Sequence, residues 1–180
     1  MLTIQRIYKE NFPAGKKVIY SYTSKKYYKV FSGKIDNGWN FTLKEESFDI
    51  PFVKRLEEEV FEEYKEGSEA YMAELDGKEA AIMVIQAMDW NHTLLIHDLH
   101  VWPQFQKHGI GRRLIETAKQ RAVELGVRAI VLETQTSNYP AIQFYLKNGF
   151  EIVGFNTISY SNDDVHKNEV RLEMGYILSN

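Results

Sequence analysis

The run Gln106-Lys107-His108-Gly109-Ile110-Gly111 has the residue types and spacing to hold an anion. Its two glycines let the backbone take positive φ angles and pass close to a ligand. An apolar stretch, 94–101, precedes it, and a segment of helical periodicity, 110–125, follows. In a strand, turn and helix of this kind, the first N–H groups of the helix have no intrahelical acceptor. The helix dipole favours negative charge beside them. Arg112 and Arg113 stand at the helix start, where cations oppose the dipole unless phosphates share the site. The plain alternative is a glycine turn with solvated arginines.

Two nucleotide patterns do not fit. A dinucleotide fingerprint needs G-x-G-x-x-G, but the third glycine position is Leu114, and no βαβ unit opens the chain. A P-loop needs G-K-S/T, but Gly111 is followed by Arg112-Arg113. What remains is Q-x-x-G-x-G. A second motif follows from Asn138 to Phe150. Asn138 reads as an N-cap, Pro140 lies in the first helical turn, and Gly149 is placed to end the helix. Ala141, Phe144 and Tyr145 fall on adjoining helix faces.

With the strand ending Leu99-His100-Val101, then Gln106-x-x-Gly109-x-Gly111, then Asn138 before Ala141-x-x-Phe144-Tyr145-x-x-x-Gly149-Phe150, the chain resembles the GNAT superfamily of acetyl-CoA-dependent N-acetyltransferases. The resemblance covers roughly residues 70 to 176. Within the superfamily, Ile96-His97-Asp98-Leu99-His100-Val101 with Leu132-Glu133-Thr134-Gln135-Thr136 is most similar to the streptothricin acetyltransferases.

The resemblance implies an α+β fold: a mixed, mostly antiparallel twisted sheet flanked by helices and splayed at the strand that binds acetyl-CoA. It implies acetyl-CoA as cosubstrate and a primary amine as acceptor. Acetyl transfer then needs the pyrophosphate held, the thioester oriented, the amine neutral and the leaving thiolate protonated. By resemblance, Gln106, Lys107, His108, Gly109, Gly111 and Arg112 hold the pyrophosphate, and Leu99 and Val101 offer main-chain groups to the pantetheine arm. Asn138 contacts the cofactor from the facing loop, as well as or instead of capping its helix. Tyr145 is the expected general acid, with its hydroxyl near the sulfur. A phenol with a pKa near 10 is protonated at neutral pH and can donate. The alternative for Tyr145 is a core aromatic beside Phe144.

His97 is the expected general base, since related enzymes carry a histidine or carboxylate at that strand position; a neutral imidazole accepts a proton near neutral pH. In a regular strand His97, Leu99 and Val101 share one face and Asp98 and His100 the other, unless a bulge intervenes. His97 as a satisfied buried histidine is the alternative, and Glu133, ending the next strand, is the second candidate base. His92, His108 and His166 match no zinc spacing, so no metal is expected.

The elements that must position these residues follow from pattern. Residues 18–22, 27–31 and 39–43 have strand composition, with a turn at Asp36-Asn37-Gly38. Pro51 reads as opening a helix with Phe52, Val53, Leu56, Val60 and Phe61 on its apolar side. The glutamates Glu57, Glu58, Glu59, Glu62, Glu63 and Glu66 would then line its solvated side. Asp76-Gly77 joins strands 71–75 and 79–88 as a hairpin. Helix 110–125, strand 129–133, helix 139–148 and strands 150–158 and 169–178 complete the chain. A single acetyltransferase domain over 1–180 is expected, with family-variable strands in 1–50 and the GNAT core in 70–176.

Composition narrows the partners. The 180 residues carry a net charge of −3 with 13% aromatics and no cysteine. The slight negative charge argues against nucleic-acid binding, and no apolar run has the length of a membrane span. No signal peptide is evident at the N-terminus, and a cytoplasmic location is expected. A homodimer is left open. Streptothricins are polycationic, and the expected acceptor is the amine of their β-lysine arm, in a site that should be acidic. Asp163, Asp164, Trp39, Trp90 and Trp102 are candidate wall residues. Acetylation of an aminoglycoside, a polyamine or a protein or peptide amine is the alternative enzymatic reading. A non-catalytic acetyl-CoA sensor is a third, but it would have no use for Tyr145.

Overall fold

The computed structural model describes residues 1–178. In chain order the elements are β1 (Leu2–Ile7), β2 (Lys17–Ile35), β3 (Gly38–Glu59), β4 (Glu69–Leu75), β5 (Lys78–Met88), β6 (Thr93–Val101), α1 (Ile110–Glu124), β7 (Ala129–Gln135), α2 (Tyr139–Lys147), β8 (Glu151–Asn156), α3 (Asp164–Lys167) and β9 (Arg171–Ile177). The chain divides into two compact units. Of the described residues, one unit comprises 1–20, 56–132 and 175–178, the other 21–55 and 133–174.

In the first unit the strands are hydrogen-bonded in the order β1-β4-β5-β6-β7. Three of the pairings are antiparallel, and β6 with β7 is parallel. The β4–β5 hairpin turns at Asp76 and Gly77, with φ of 52° and 75°. Two successive positive φ values make the tight turn whose twist suits adjoining strands. α1 packs on β5 and β6. It buries Ile110, Leu114, Ile115, Ala118 and Ala122 on one face. Burial of a leucine or isoleucine contributes about 1.5–3 kcal/mol. The helix stops at Gly126, φ 65°, where Val127 N–H bonds Ala122 C=O and Gly126 N–H bonds Val123 C=O. This double closure satisfies two terminal carbonyls and needs the left-handed residue that glycine provides. The opposite sheet face carries a cluster of Val18, Val60, Ala70, Met72, Ile82 and Val84.

The second unit has the strand order β7-β9-β8 and the two-stranded ribbon β2–β3. Here the structure corrects the helix expected from Pro51: β3 runs straight through it. Phe48 stacks on Phe52 at 5.3 Å, Tyr22 meets Phe52 at 6.0 Å and Tyr27 meets Phe48 at 4.5 Å. Such aromatic pairs stabilise a ladder, and a two-stranded ribbon has outer edges where proline's missing N–H costs nothing. The supposed apolar helix face is not a buried stripe, since Val53 and Leu56 are exposed. β1 was not anticipated. Its six residues mix polar and apolar types, and its register with β4 sets it at the sheet edge.

Candidate active site

In the first unit, the turn after β6 is built as a ligand-facing backbone. Lys107 and Gly109 both have positive φ, 67° and 77°. Gly109 is the N-cap of α1, no side chain caps it, and no acidic residue lies in the first turn. The first intrahelical bond is Arg113 N–H to Gly109 C=O at 3.1 Å. The N–H groups of Ile110, Gly111 and Arg112 therefore precede the helical ladder. A Cβ built on Gly109 would meet no atom within 4 Å, so the space beside it is open. Arg112 and Arg113 are exposed and share one carboxylate, Glu116, at 3.1 and 3.7 Å. Two cations on one anion, an uncapped helix start and an open flank suit a diphosphate.

Gln106 and His108 brace this turn. Gln106 Nε2 donates to the Val101 carbonyl at 3.1 Å, and His108 Nδ1 donates to the Gln106 and Phe105 carbonyls at 2.9 and 3.2 Å. The parallel register of β6 with β7 runs from Thr93 opposite Ala129 to Ile96 opposite Leu132 and stops. Among the described residues, Leu99 and Val101 lie beyond it, paired only on the β5 side. The main-chain edge that a pantetheine arm would need is thus left by the strand itself.

β6 also carries a bulge that changes the expected faces. Ile82, Val84 and Gln86 oppose His100, Asp98 and Leu95, while Ala81, Met83 and Ile85 oppose Val101, Leu99 and Ile96. Directly opposed residues share a face. His97 is the extra residue, between Ile96 and Asp98. Its Nε2 meets Gln86 Oε1 at 2.7 Å, which sets His97 on the face of Asp98 and His100. The expectation that His97 shares a face with Leu99 and Val101 is therefore corrected: the bulge shifts the alternation by one.

That face holds a polar cluster. Lys65 Nζ bonds Asp98 Oδ2 at 2.7 Å and lies 3.8 Å from Glu58 Oε2. It also stands 5.2 Å from the centre of the Tyr64 ring, and that ring meets His97 at 6.0 Å. Burial works against the Lys65 ammonium, but the hydrogen bond and charge of Asp98 outweigh it and raise its pKa. Burial and the neighbouring Asp98 push Glu58 up. His97 is lowered, first by burial and further by Lys65, against the opposing pull of Asp98. His100 is lowered by burial alone. Tyr20 OH and His100 Nε2 are buried without a hydrogen-bond partner among the described residues, and their rings meet at 5.3 Å. Burial and the carboxylates of Asp98 and Glu58 hold the Tyr20 hydroxyl far above its ordinary pKa.

The glutamates of 57–66 correct a second expectation. They do not line one solvated helix face. Glu58 turns toward Lys65, and Glu59 Oε1 accepts the Lys16 N–H at 2.6 Å.

In the second unit, Asn138 caps α2, its Oδ1 accepting the Ala141 N–H at 3.3 Å. Gly149, φ 88°, ends the helix through Gly149 N–H to Leu146 C=O and Phe150 N–H to Tyr145 C=O, both 3.1 Å. Tyr145 is 7% exposed, its ring against Phe144 at 5.3 Å and Phe150 at 5.5 Å. Glu133 has both oxygens engaged: Tyr160 OH donates to one, and Arg171 pairs with the other at 2.8 Å. Asp164 is buried and accepts from Tyr160 N–H and Ser161 Oγ, so it serves its own loop. Trp39 is exposed in this unit, and Trp90 in the first, where Trp102 packs on the Val18 cluster. Among the described residues no set of three His, Asp or Glu side chains could hold a metal, and no helix is long and apolar enough to cross a membrane.

Lys65, Gln86 and Tyr64 were not singled out by sequence, and Glu58 was read only as one of a solvated row of glutamates. A lysine in an acidic segment reads as a surface charge, and only the fold shows it buried.

Three comparisons bear on this geometry. The sequence profile of the Acetyltransferase (GNAT) family matches residues 39–150. Streptothricin acetyltransferase A of Bacillus subtilis (strain 168) is 34% identical over 131 residues, 71% of this chain and 74% of that protein. The crystal structure of nourseothricin acetyltransferase superposes with a TM-score of 0.80 at 26% identity, over 99% of both chains. An acetyltransferase of Bacillus anthracis str. Ames, solved in complex with acetyl coenzyme A, superposes with a TM-score of 0.78 at 24% identity over 99% of this chain and 98% of that one. The family match over residues 39–150 and the 34% identity to a streptothricin acetyltransferase make the chain a member of the GNAT acetyltransferase family, an acetyl-CoA-dependent N-acetyltransferase.

Proposed function

We propose that the chain acetylates a primary amine of a polycationic antibiotic of the streptothricin type, on its β-lysine arm, and so confers resistance. The observation that carries this reading is the likeness to nourseothricin acetyltransferase over 99% of both chains, which takes in the β2–β3 ribbon as well as the core.

Acetyl-CoA supplies an activated acyl group as a thioester. The backbone of Gly109, Ile110, Gly111 and Arg112, with Gln106, Lys107 and His108 shaping the turn, binds its diphosphate. Leu99 and Val101 offer main-chain groups to its arm, and Asn138 adds an amide. His97 takes one proton from the acceptor ammonium, leaving a neutral amine that forms the new C–N bond as the C–S bond breaks. Tyr145 gives its hydroxyl proton to the departing sulfur. The nitrogen gives up two protons in becoming an amide, one to His97 before attack and one to solvent as the C–S bond breaks; Tyr145 gives one to the sulfur and recovers it from solvent, so one proton is released net. His97 is favoured over Glu133 because both oxygens of Glu133 are already engaged, by the Tyr160 hydroxyl and by Arg171. The domain is read as one catalytic unit over 1–180, in the cytoplasm.

The test is thiol release from acetyl-CoA by the purified protein, offered streptothricin, an aminoglycoside or a lysine-rich peptide. Streptothricin should be the preferred acceptor by kcat/KM. Turnover with the peptide alone would sink this reading and move the chain to the protein-acetylating class.

A further inference from the structure

We propose that Gln86 is a positioning residue that fixes the tautomer of His97, leaving Nδ1 as the nitrogen that accepts the acceptor amine's proton. The inference rests on His97 being the general base.

The argument starts at a backbone carbonyl. Gln86 Nε2 lies 2.8 Å from Glu66 C=O. A carbonyl can only accept, so the end of the amide facing it must be the NH2 group. The other end, Oε1, then faces His97 Nε2 at 2.7 Å. An amide oxygen also can only accept, so His97 Nε2 must carry a proton. Rotating the amide by half a turn would set oxygen against the Glu66 carbonyl and lose a hydrogen bond. Glu66 C=O, Gln86 and His97 thus form a directional chain with one solution.

A neutral imidazole protonated on Nε2 has its lone pair on Nδ1. The same Gln86 contact also serves the imidazolium, in which both nitrogens donate. Gln86 therefore need not move when His97 takes a proton. The ring is held further by Tyr64, whose plane meets it at 64°. Asp98 on the same strand and Lys65 beside Tyr64 are the charges facing the ring, and they pull its titration in opposite directions. Gln86 itself is uncharged, so it orders the ring without attracting a second proton to it. A carboxylate at this position would do the opposite.

The test uses the full chain with 15N-labelled histidine. Protonated and lone-pair ring nitrogens have well separated 15N shifts, and a His97→Gln spectrum identifies the His97 signals by their loss. Above its pKa, His97 should show Nε2 protonated and Nδ1 bare. Gln86→Leu, close in size and apolar, should mix the two tautomers. It should also lower kcat about ten- to a hundredfold, as loss of an orienting partner does, with KM for acetyl-CoA unchanged. Gln86→Glu keeps an acceptor toward Nε2. It should keep the tautomer and move the acidic limb of the pH–rate profile to higher pH, by about one unit or more.

A neutral His97 protonated on Nδ1 would overturn the proposal. So would an unchanged tautomer in Gln86→Leu. An acidic limb that survives in His97→Gln would overturn the base assignment and the role of Gln86 with it. A limb lost in His97→Gln, with the tautomer unmoved in Gln86→Leu, would overturn the Gln86 proposal alone.

Discussion

Lys65 Nζ and Asp98 Oδ2 lie 2.7 Å apart with their side chains 1% and 8% exposed, so each is the other's answer to burial. Removing one partner of such a pair leaves an uncompensated charge in the interior. Lys65→Met and Asp98→Asn should each lower stability by about 3–5 kcal/mol, and the double variant should lose less than the sum. Urea unfolding measures this. Additive losses would show that the two groups are not coupled.

The same two substitutions should separate in the pH–rate profile. Lys65 lowers the titration of His97, and Asp98 raises it. Lys65→Met should therefore move the acidic limb up in pH, and Asp98→Asn should move it down. Shifts of equal sign would mean that the limb does not belong to His97.

Tyr145→Phe keeps the ring between Phe144 and Phe150 but removes the proton donor. The expected loss is about 10²–10⁴ in kcat, with a smaller change in KM for acetyl-CoA. An unchanged kcat would return Tyr145 to a packing role.

Gly109 stands at φ 77° with open space where a Cβ would go. Alanine there meets no clash, so its cost is the backbone strain, about 1–2 kcal/mol. The turn should relax, and KM for acetyl-CoA should rise about five- to thirtyfold for that energy. Isothermal titration with CoA gives the same quantity without turnover. A wild-type Kd in Gly109→Ala would remove this turn from cofactor binding.

His97 and His100 are both held below the ordinary histidine pKa of 6.5, first by burial. As pH falls through 6.5, the unfolded chain takes up protons that the native imidazoles refuse. Stability should fall over that window, then level once the native rings protonate. Each histidine contributes a slope of up to about 1.36 kcal/mol per pH unit. His100→Phe keeps a ring against Tyr20 and removes an orphaned nitrogen. Its denaturation midpoint should depend less steeply on pH between 5 and 6.5 (about the width of a single titration). A slope equal to that of the parent protein would place the histidine contribution elsewhere.

The two motif-bearing helices were legible because local chemistry specifies them. Gly109, Gly126, Asn138 and Gly149 stand at their caps as their types require. The Asp76-Gly77 hairpin was legible for the same reason. Residues 51–61 were not. Their apolar spacing fits a helix, but 51–59 continue β3, held extended by aromatic partners more than twenty residues back in β2, and 60–61 turn. Long-range pairing outweighed local period there. At the candidate site, the anion-binding turn could be read, whereas the side of β6 that His97 takes could not. Nothing local announces a bulge between Ile96 and Asp98, and the partners that reveal it, Gln86 and Lys65, come from other parts of the chain.

The bulge makes β6 a phase shifter. Upstream of His97, the odd-numbered Leu95 lies on the polar-cluster face. Downstream, the even-numbered Asp98 and His100 lie there. Substitution and deletion are then different kinds of change to this strand. A substitution alters one side chain and leaves the rest aimed as before. Deleting one residue from the bulge would restore an unbroken rhythm and leave both flanks on their present sides, since only the extra residue is lost. An insertion or deletion elsewhere in β6, with the bulge in place, would put every side chain of one flank on the wrong side. Outside the bulge, insertions and deletions in β6 should accordingly be far rarer than exchanges among functional variants, even where exchanges at the same positions are tolerated.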